Sequence, residues 1–333
     1  MVKLKKILFA TLVAVCSFTN VMLASAQING TMLSATPNSG FVEDDDDDVI
    51  DELWGTPILA YGGSLSPEQL EETKAIFGIT NSQFDSVAVT GEDLVRFLRG
   101  GNPNANMYSS ALITKGTTGS GTAVSIMTPD KITRVTEEQY TNAMITAGIT
   151  DSIVYVASPV PVTGESALTG IYKAYADRGT DLEQDRMEVA QQELETTSSI
   201  ANEHAENEDF DSTDLDNALI DIKLALADIK ERDGETASDA KVAEVVQDAL
   251  KKNNLDQIIT STQAESLANF ARNFQNTSAI DSAQVREQLE GLANNIAGGL
   301  RQIRDAAEGT GLWTQIQNGV SRLVQMARNF FSR

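Results

Sequence analysis

A long stretch of this chain occurs twice, and the repetition limits which folds the chain can adopt. The string SPEQLEETKAIFGIT at 66–80 aligns with TEEQYTNAMITAGIT at 136–150. Further along, VAVTGE at 87–92 aligns with VPVTGE at 160–165. Matches that recur in the same order over this length indicate a tandem duplication of one supersecondary unit.

Each copy opens its first helix with the same local signal. A Ser or Thr is followed three residues later by Gln, which is the capping-box pattern: Ser66 with Gln69, and Thr136 with Gln139. Both helices are predicted to end at a glycine, Gly78 or Gly148, because glycine readily adopts the left-handed conformation that closes a helix.

Two strands and a second helix complete each copy. Alternating apolar residues predict one strand before the first helix and one after it: 57–61 and 84–89, then 123–128 and 153–157. The second helix is predicted to begin at Thr90 or Thr163, each of which is a favourable N-cap residue. The repeated Val-Thr-Gly-Glu is therefore first of all a turn from strand to helix.

A further strand is predicted between the copies, at 109–114. The Gly/Ser/Thr-rich loop at 116–121 is expected to join it to the strand that follows, so that the two form a hairpin. The predicted fold class is thus an α/β (α+β) domain over 54–178, containing an internally duplicated strand–helix–strand–helix unit and a sheet of about five strands. An all-helical C-terminal region follows it.

Helical periodicity continues to the end of the chain. We divide it into a helical extension at 179–234 and a C-terminal region at 235–333. The last segment, 312–331, contains no Asp or Glu and combines arginines with a wide apolar face that includes Trp313 and Phe330. A cationic amphipathic helix of this kind suits either docking on the acidic body of the protein or peripheral contact with a membrane.

The N-terminal residues have the pattern of an export signal. Lysines precede a short apolar run, and Ala24-Ser25-Ala26 is a small-x-small cleavage site, so the signal peptide 1–26 is predicted to be removed after Ala26. Residues 27–53, which contain the acidic run at 43–48, are predicted to form a disordered, solvated tail, with a calcium sink as the alternative. The protein is accordingly expected to be secreted or associated with the cell envelope.

Composition excludes several functions. The formal net charge is −23, which disfavours nucleic acid as a partner because phosphate binding needs clustered Lys and Arg. The only cysteine, Cys16, lies in the predicted signal, and His204 is the only histidine. We therefore predict no metal site, no cofactor and no catalytic residue, and the sequence favours a protein that is not an enzyme.

Candidate binding residues cluster in one peculiar string, GGNPNANMYSS at 100–110. Its turn-forming and polar side chains are predicted to meet at the start of a strand, where they could contact a ligand or cap the neighbouring backbone: Asn102, Asn104, Asn106 and Tyr108. Thr90 and Thr163 are further candidates, since two helix N-termini brought together could hold a small anion. Helix capping alone also accounts for both threonines.

Several unusual strings, in order, resemble a known family. YGGSLSPEQ, VTGEDL, NPNANMYSSALIT, SALTGIYKAY and DRMEVAQQEL, spread over about 55–235, are similar to the YpuA-like secreted proteins that are grouped as domain of unknown function 1002. The resemblance implies an exported protein of Gram-positive-type bacteria. It carries over no activity and no catalytic residue.

Three functional hypotheses follow from these observations. The first is a non-enzymatic extracellular or envelope-associated protein that binds an unknown protein or cell-envelope component. The second is a carboxylate-dependent hydrolase of cell-wall or extracellular polymer, which requires two acids in one cleft. The third is a membrane-surface protein docked through 312–331.

Overall fold

A computed structural model of the chain describes residues 56–79, 84–99, 101–116 and 119–298. Within them lie five strands, a short 3-10 helix at Ser278–Asp281 and nine α-helices. The strands are β1 (Ile58–Gly62), β2 (Asp85–Val89), β3 (Ser110–Lys115), β4 (Ala123–Ile126) and β5 (Ser152–Ala157). The helices are α1 (Pro67–Ile76), α2 (Gly91–Leu98), α3 (Glu137–Thr146), α4 (Ser166–Asp177), α5 (Gln184–Glu203), α6 (Ser212–Asp233), α7 (Asp239–Lys252), α8 (Ser261–Phe274) and α9 (Ala283–Gly298).

The predicted α+β class, the sheet of five strands and the helical region that follows it are confirmed. The strands form one mixed sheet in the order β2-β1-β3-β5-β4, in which β1 pairs with β2 and β4 pairs with β5 in parallel, while β3 is antiparallel to both of its neighbours. Helices α5 to α9 form the helical region that follows. The predicted signal peptide 1–26, the acidic tail 27–53 and the cationic segment 312–331 lie outside the described residues.

Alternation along the strands gives the sheet two different faces. Ile58, Ala60 and Val154 belong to a large core that also contains apolar residues of α2, α3 and α4. Leu59 and Leu112 point to the opposite face, where the end of α1 packs on a smaller core. The period of two that defines a strand therefore places successive side chains in separate cores.

The internal duplication is not confirmed. Each copy does have the predicted order of elements, since β1-α1-β2-α2 is followed later by β4-α3-β5-α4. In each copy the chain crosses to a parallel neighbour in the direction of the β2 edge. However, Phe77 at the end of α1 packs on one face of the sheet, whereas Tyr140 and Met144 of α3 pack on the other. The two first helices therefore have different surroundings.

The predicted hairpin of 109–114 with 123–128 is wrong, because β5 lies between β3 and β4. Asp151, immediately before β5, bonds to a residue at each end of the intervening segment. The Gly116 amide donates to the Asp151 carbonyl over 2.6 Å, and the Gly121 amide donates to the Asp151 carboxylate over 2.9 Å. These long-range bonds direct β4 to the far side of β5.

The capping signals of the first helices are confirmed. Ser66 and Thr136 each accept from the backbone of the Gln three residues on and complete a capping box with it. Gly78 and Gly148 follow the helix ends with φ of +69° and +85°.

Thr163, in contrast, is not the N-cap of α4. Gly164 has a φ of +101°, and its carbonyl accepts the Tyr140 hydroxyl over 2.5 Å, so the helix begins only after it, with Glu165 as N-cap.

The helical region packs directly on the α/β part. Apolar residues of α6 to α9 form a core that also includes Ile145 of α3 and two residues of α5, Val189 and Ile200. The other side of α5 contributes Ala190 and Leu194 to the core beneath the sheet. No helix in the described parts of the chain is long and apolar enough to cross a bilayer.

Candidate ligand pocket at the edge of the sheet

One pocket lies where the parallel strands end. It occupies about 340 Å³ between the segment that leads into β3, the loop that follows β5 and the helices α2, α4 and α5. We call it the Tyr108 pocket. Its lining residues are Leu94, Ala105, Asn106, Met107, Tyr108, Val162, Thr163, Glu165, Ser166, Gln191 and Glu195.

Two close backbone approaches fix the loop that carries Tyr108. A side chain at Gly62 would place its Cβ 2.3 Å from the Met107 carbonyl oxygen, so glycine is required at the end of β1. The Met107 amide and carbonyl then bond to the Ser64 hydroxyl and amide, each over 3.0 Å. Gly91, at the start of α2, permits a similar approach to the Pro103 carbonyl, where a Cβ would lie at 2.4 Å.

The structure brings three of the six candidate binding residues together, since Asn106, Tyr108 and Thr163 all line the pocket. Asn102 instead forms the turn before them: its side-chain oxygen accepts the Asn104 amide over 3.0 Å, and its carbonyl accepts the Ala105 amide over 2.9 Å. Asn102 and Asn104 are exposed and lie outside the lining.

Thr90 caps α2 and does not line the pocket. The Asp93 carboxylate accepts from the Thr90 amide over 2.8 Å and from the Thr90 hydroxyl over 3.1 Å. A carboxylate therefore already occupies the N-terminus of α2, and Glu165 stands at the N-terminus of α4. Both positions would repel a bound anion, so the arrangement does not favour the anion hypothesis.

Two carboxylates give the pocket its charge. Glu165 accepts the Thr163 hydroxyl over 3.2 Å, and Glu195 accepts the Gln191 amide nitrogen over 2.9 Å. Neither carboxylate has a cationic partner among the described salt bridges. Burial raises the pKa of the Tyr140 hydroxyl, and the negative charge of Glu165 raises it further.

The Gln191 side chain is buried with one polar atom hydrogen-bonded and the other without a partner. It is only 7 % exposed, and its Oε1 is buried without a hydrogen-bond donor. Because the carboxylate of Glu195 can only accept, the atom bonded to it is the amide nitrogen and the unpartnered atom is the oxygen. A buried acceptor without a partner costs about 1–3 kcal/mol, and the described residues leave this oxygen unsatisfied.

An ion pair lies beside the pocket. Lys173 of α4 lies 2.8 Å from both carboxylate oxygens of Asp93 on α2. Both side chains are largely buried. The pair joins α2 and α4, which flank the pocket, and the Asp93 carboxylate neutralises the charge of Lys173.

Three further lining residues are not singled out by any pattern in the sequence: Glu165, Gln191 and Glu195. The spacing of Gln191 and Glu195 places them on one face of a helix. However, α5 carries polar residues on several faces, so the spacing alone did not single them out. Their common position depends on the packing of α5 beside the loop that follows β5.

The described part of the chain also contains residues of the kinds that hold metals or act in catalysis. In the parts of the chain that the structure describes, no three His, Cys, Asp or Glu side chains are grouped closely enough to hold a metal ion. Ser152 is fully buried and its hydroxyl is hydrogen-bonded to Tyr175, while its sheet partner Lys115 donates to the Thr150 carbonyl over 2.6 Å. His204 is half-buried between Gln263 and Phe210.

The fold and the pocket define a class: an α+β protein with an acidic, polar pocket at one edge of a mixed sheet and a helical region packed on the sheet's helices. The chain belongs to the family described as Protein of unknown function (DUF1002), whose model matches residues 61–292. At its C-terminal end the match continues past residue 235, where the resemblance seen in the sequence strings stops.

A relative shares much of this length. The chain is 29% identical to Uncharacterized protein YpuA of Bacillus subtilis (strain 168) over 250 residues, which cover 73% of this chain and 79% of that protein. No solved structure matches the chain.

Proposed function

We propose that this chain is an exported binding protein whose ligand site is the Tyr108 pocket. The observation that carries the proposal is the buried, unpartnered oxygen of Gln191 in a pocket lined by two carboxylates. The pocket also lies outside the carboxyl ends of the parallel strands, which is where open α/β sheets commonly bind ligands. Its volume of about 340 Å³ is within the range of small-molecule sites.

The hydrolase hypothesis applies to the same pocket, because Glu165 and Glu195 both line it. A carboxylic acid that acts as general acid is usually kept protonated by burial. Glu195 is exposed and Glu165 is only half-buried. The geometry therefore supports binding better than hydrolysis.

A capture experiment tests the binding function. The mature protein is incubated with culture medium and with an enzymatic digest of the producing cells' envelope, and the molecules that remain bound are identified by mass spectrometry. In Thr163→Trp an indole replaces an exposed lining side chain and fills the mouth of the pocket. Thr262→Trp is the matched control, because Thr262 is an exposed residue of α8 outside the lining.

The comparison of the two variants shows whether the captured ligand occupies this pocket. We expect the same ligand on the wild type and on Thr262→Trp, and its loss from Thr163→Trp. Equal retention by both Trp variants would show that the ligand binds elsewhere and would refute the assignment to this pocket.

Export is a separate part of the proposal. It is supported by the lysines, the short apolar run and the Ala24-Ser25-Ala26 site at the N-terminus. We expect mature protein in the medium or the cell-wall fraction, beginning at Gln27. N-terminal sequencing of the recovered protein tests this, and an intact Met1 on protein retained in the cytoplasm would overturn it.

A further inference from the structure

We propose that the Tyr108 pocket binds a primary ammonium group carried on an apolar chain, as in an alkyl diamine or a lysine side chain. The inference rests on the proposed function, because it assumes that the pocket is a ligand site. It adds the chemistry of the ligand, which follows from three independent features of the lining.

The first feature is charge. Glu165 and Glu195 face the pocket from two different elements, and each accepts only a neutral donor from the residues around it. Lys173 is committed to Asp93 on the flanking helices. A cationic ligand would supply the missing positive charge, and a hydrogen bond between charged groups is stronger than one between neutral groups.

The second feature is the hydrogen-bonding capacity of the lining. The unpartnered Gln191 Oε1 is an acceptor, and so are the oxygens of Glu165 and Glu195. A group that satisfies all three must bring several donors, and an acceptor on it would find no donor among these three groups. A primary ammonium has three N–H donors and no acceptor, whereas a carboxylate or phosphate would add further acceptors.

The third feature is the apolar part of the lining. Leu94, Ala105 and Val162 are partly exposed and supply aliphatic surface beside the polar groups. A ligand made only of charge, such as a bare metal cation, would leave this surface unused. An alkyl chain attached to the ammonium would cover it, and burying apolar surface is favourable.

Calorimetric titration of the mature protein with matched small molecules tests the proposal. Pentylamine and pentanol have the same chain and differ in the charged head group, so we expect saturable binding of pentylamine and at least tenfold weaker binding of pentanol. Equal binding of both would overturn the role of the ammonium. 1,5-Diaminopentane and the peptide acetyl-Ala-Lys-Ala-amide then separate a free amine from a peptide lysine, with the Nε-acetylated peptide as the neutral control.

Variants locate the binding. Glu195→Gln and Glu165→Gln should each weaken amine binding about tenfold, because each replaces a charge-assisted hydrogen bond. Glu208→Gln makes the same change in net charge at an exposed residue outside the lining and should leave binding unchanged. A similar loss in all three would indicate a long-range effect of net charge and would overturn the local assignment.

A stability measurement separates a ligand contact from a structural role. Gln191→Leu removes the unpartnered buried oxygen, so we expect its urea midpoint to stay level or rise while amine affinity falls. A fall in both would indicate that Gln191 serves the fold and would count against the inference. If amines fail to bind while Thr163→Trp still abolishes capture of the native ligand, the ammonium proposal is wrong and the binding function stands.

Discussion

A fully buried ion pair with further polar partners lies at the junction of three helices. Lys223 of α6 lies 2.7 Å from the Glu193 carboxylate of α5, and both side chains are fully buried. On α3, the Asn142 side chain accepts from Lys223 over 3.0 Å, and the Thr146 hydroxyl donates to Glu193 over 2.5 Å. The network ties the helical region to α3, which packs on the sheet.

Removal of one partner should be costly. Lys223→Met keeps much of the side-chain volume but leaves Glu193 as a buried charge with no cation, and breaking such pairs typically costs about 3–5 kcal/mol. We expect a loss of this size in the free energy of unfolding, measured in urea. The double variant Lys223→Met/Glu193→Gln should recover a large part of it, because Glu193 is then no longer a buried charge without its cation.

The exposed pair of Lys241 and Glu244 offers a matched control. Lys241→Met should change stability by less than about 1 kcal/mol, since surface ion pairs contribute little. Equal losses for Lys223→Met and Lys241→Met would mean that the buried network does not constrain the fold.

Asp216, also buried at this junction, should make stability depend on pH. Burial raises its pKa well above 3.8, Glu138 and Glu193 raise it further, and Lys223 opposes the rise. The folded carboxyl group thus keeps its proton at a pH where the unfolded one has released it. Above about pH 4 the free energy of unfolding should therefore fall with rising pH, by up to about 1.4 kcal/mol per pH unit.

Asp216→Asn should flatten that fall, because the amide does not titrate. Urea unfolding at a series of pH values from about 4 to about 7 measures the slope for both proteins. Asp209→Asn, at an exposed position, provides the control and should keep the wild-type slope. An unchanged slope in Asp216→Asn would place the responsible group elsewhere.

At the scale of elements, local signals were predicted well and non-local ones were not. The capping boxes at Ser66 and Thr136 depend on neighbouring residues, and the sequence shows them directly. The false hairpin and the false N-cap at Thr163 both have long-range causes, since Asp151 holds the loop before β4 and the Tyr140 hydroxyl holds Gly164.

Some residues of the candidate site can likewise be identified from local sequence signals, and others cannot. Asn106 and Tyr108 belong to a string whose turn residues can be recognised in the sequence, and Thr163 follows from the repeat. Gln191 and Glu195 come from a helix that is distant in sequence, so only tertiary packing brings them to the pocket.

Alanine substitutions at the two glycines that follow α1 and α3 would measure how far the surroundings of the two copies differ. Both have positive φ, so alanine should cost about 1 kcal/mol at either position for backbone strain alone. At Gly78 an added Cβ meets open space, whereas at Gly148 it lies 2.9 Å from the Arg186 guanidinium carbon. Arg186 is buried and donates to the Thr146 carbonyl over 2.9 Å, so it cannot easily move.

We therefore expect Gly148→Ala to cost about 3 kcal/mol or more, because a charged, buried hydrogen bond is lost in addition to the strain. Gly78→Ala should remain near 1 kcal/mol. Urea unfolding of both variants gives the comparison, and equal costs would indicate that the Arg186 contact adapts freely.

At the scale of the whole molecule, α5 connects the two large cores. One side of the helix contributes Ala190 and Leu194 to the core beneath the sheet, and the other contributes Val189 and Ile200 to the core of the helical region. α3 lies between the sheet and α5, and its residues from Gln139 to Thr146 are all buried. The α/β part thus depends on a helix that follows the predicted boundary at residue 178.

A fragment that ends at that boundary should not fold by itself. Residues 54–178 contain all five described strands but lack α5, so the buried face of α3 and the aromatic ring of Tyr172 would be exposed to water. Exposed apolar patches of this kind lead to aggregation or loss of fixed packing. We expect the fragment to show poor dispersion in its amide proton–nitrogen spectrum, while the chain from residue 27 to 333 gives a dispersed one. Extending the fragment to residue 298 should restore the dispersion, because it returns α5 together with the helices α6 to α9 that cover it. A well-dispersed spectrum from 54–178 would show that the sheet and its first four helices are an autonomous domain, and that α5 is docked on it from outside.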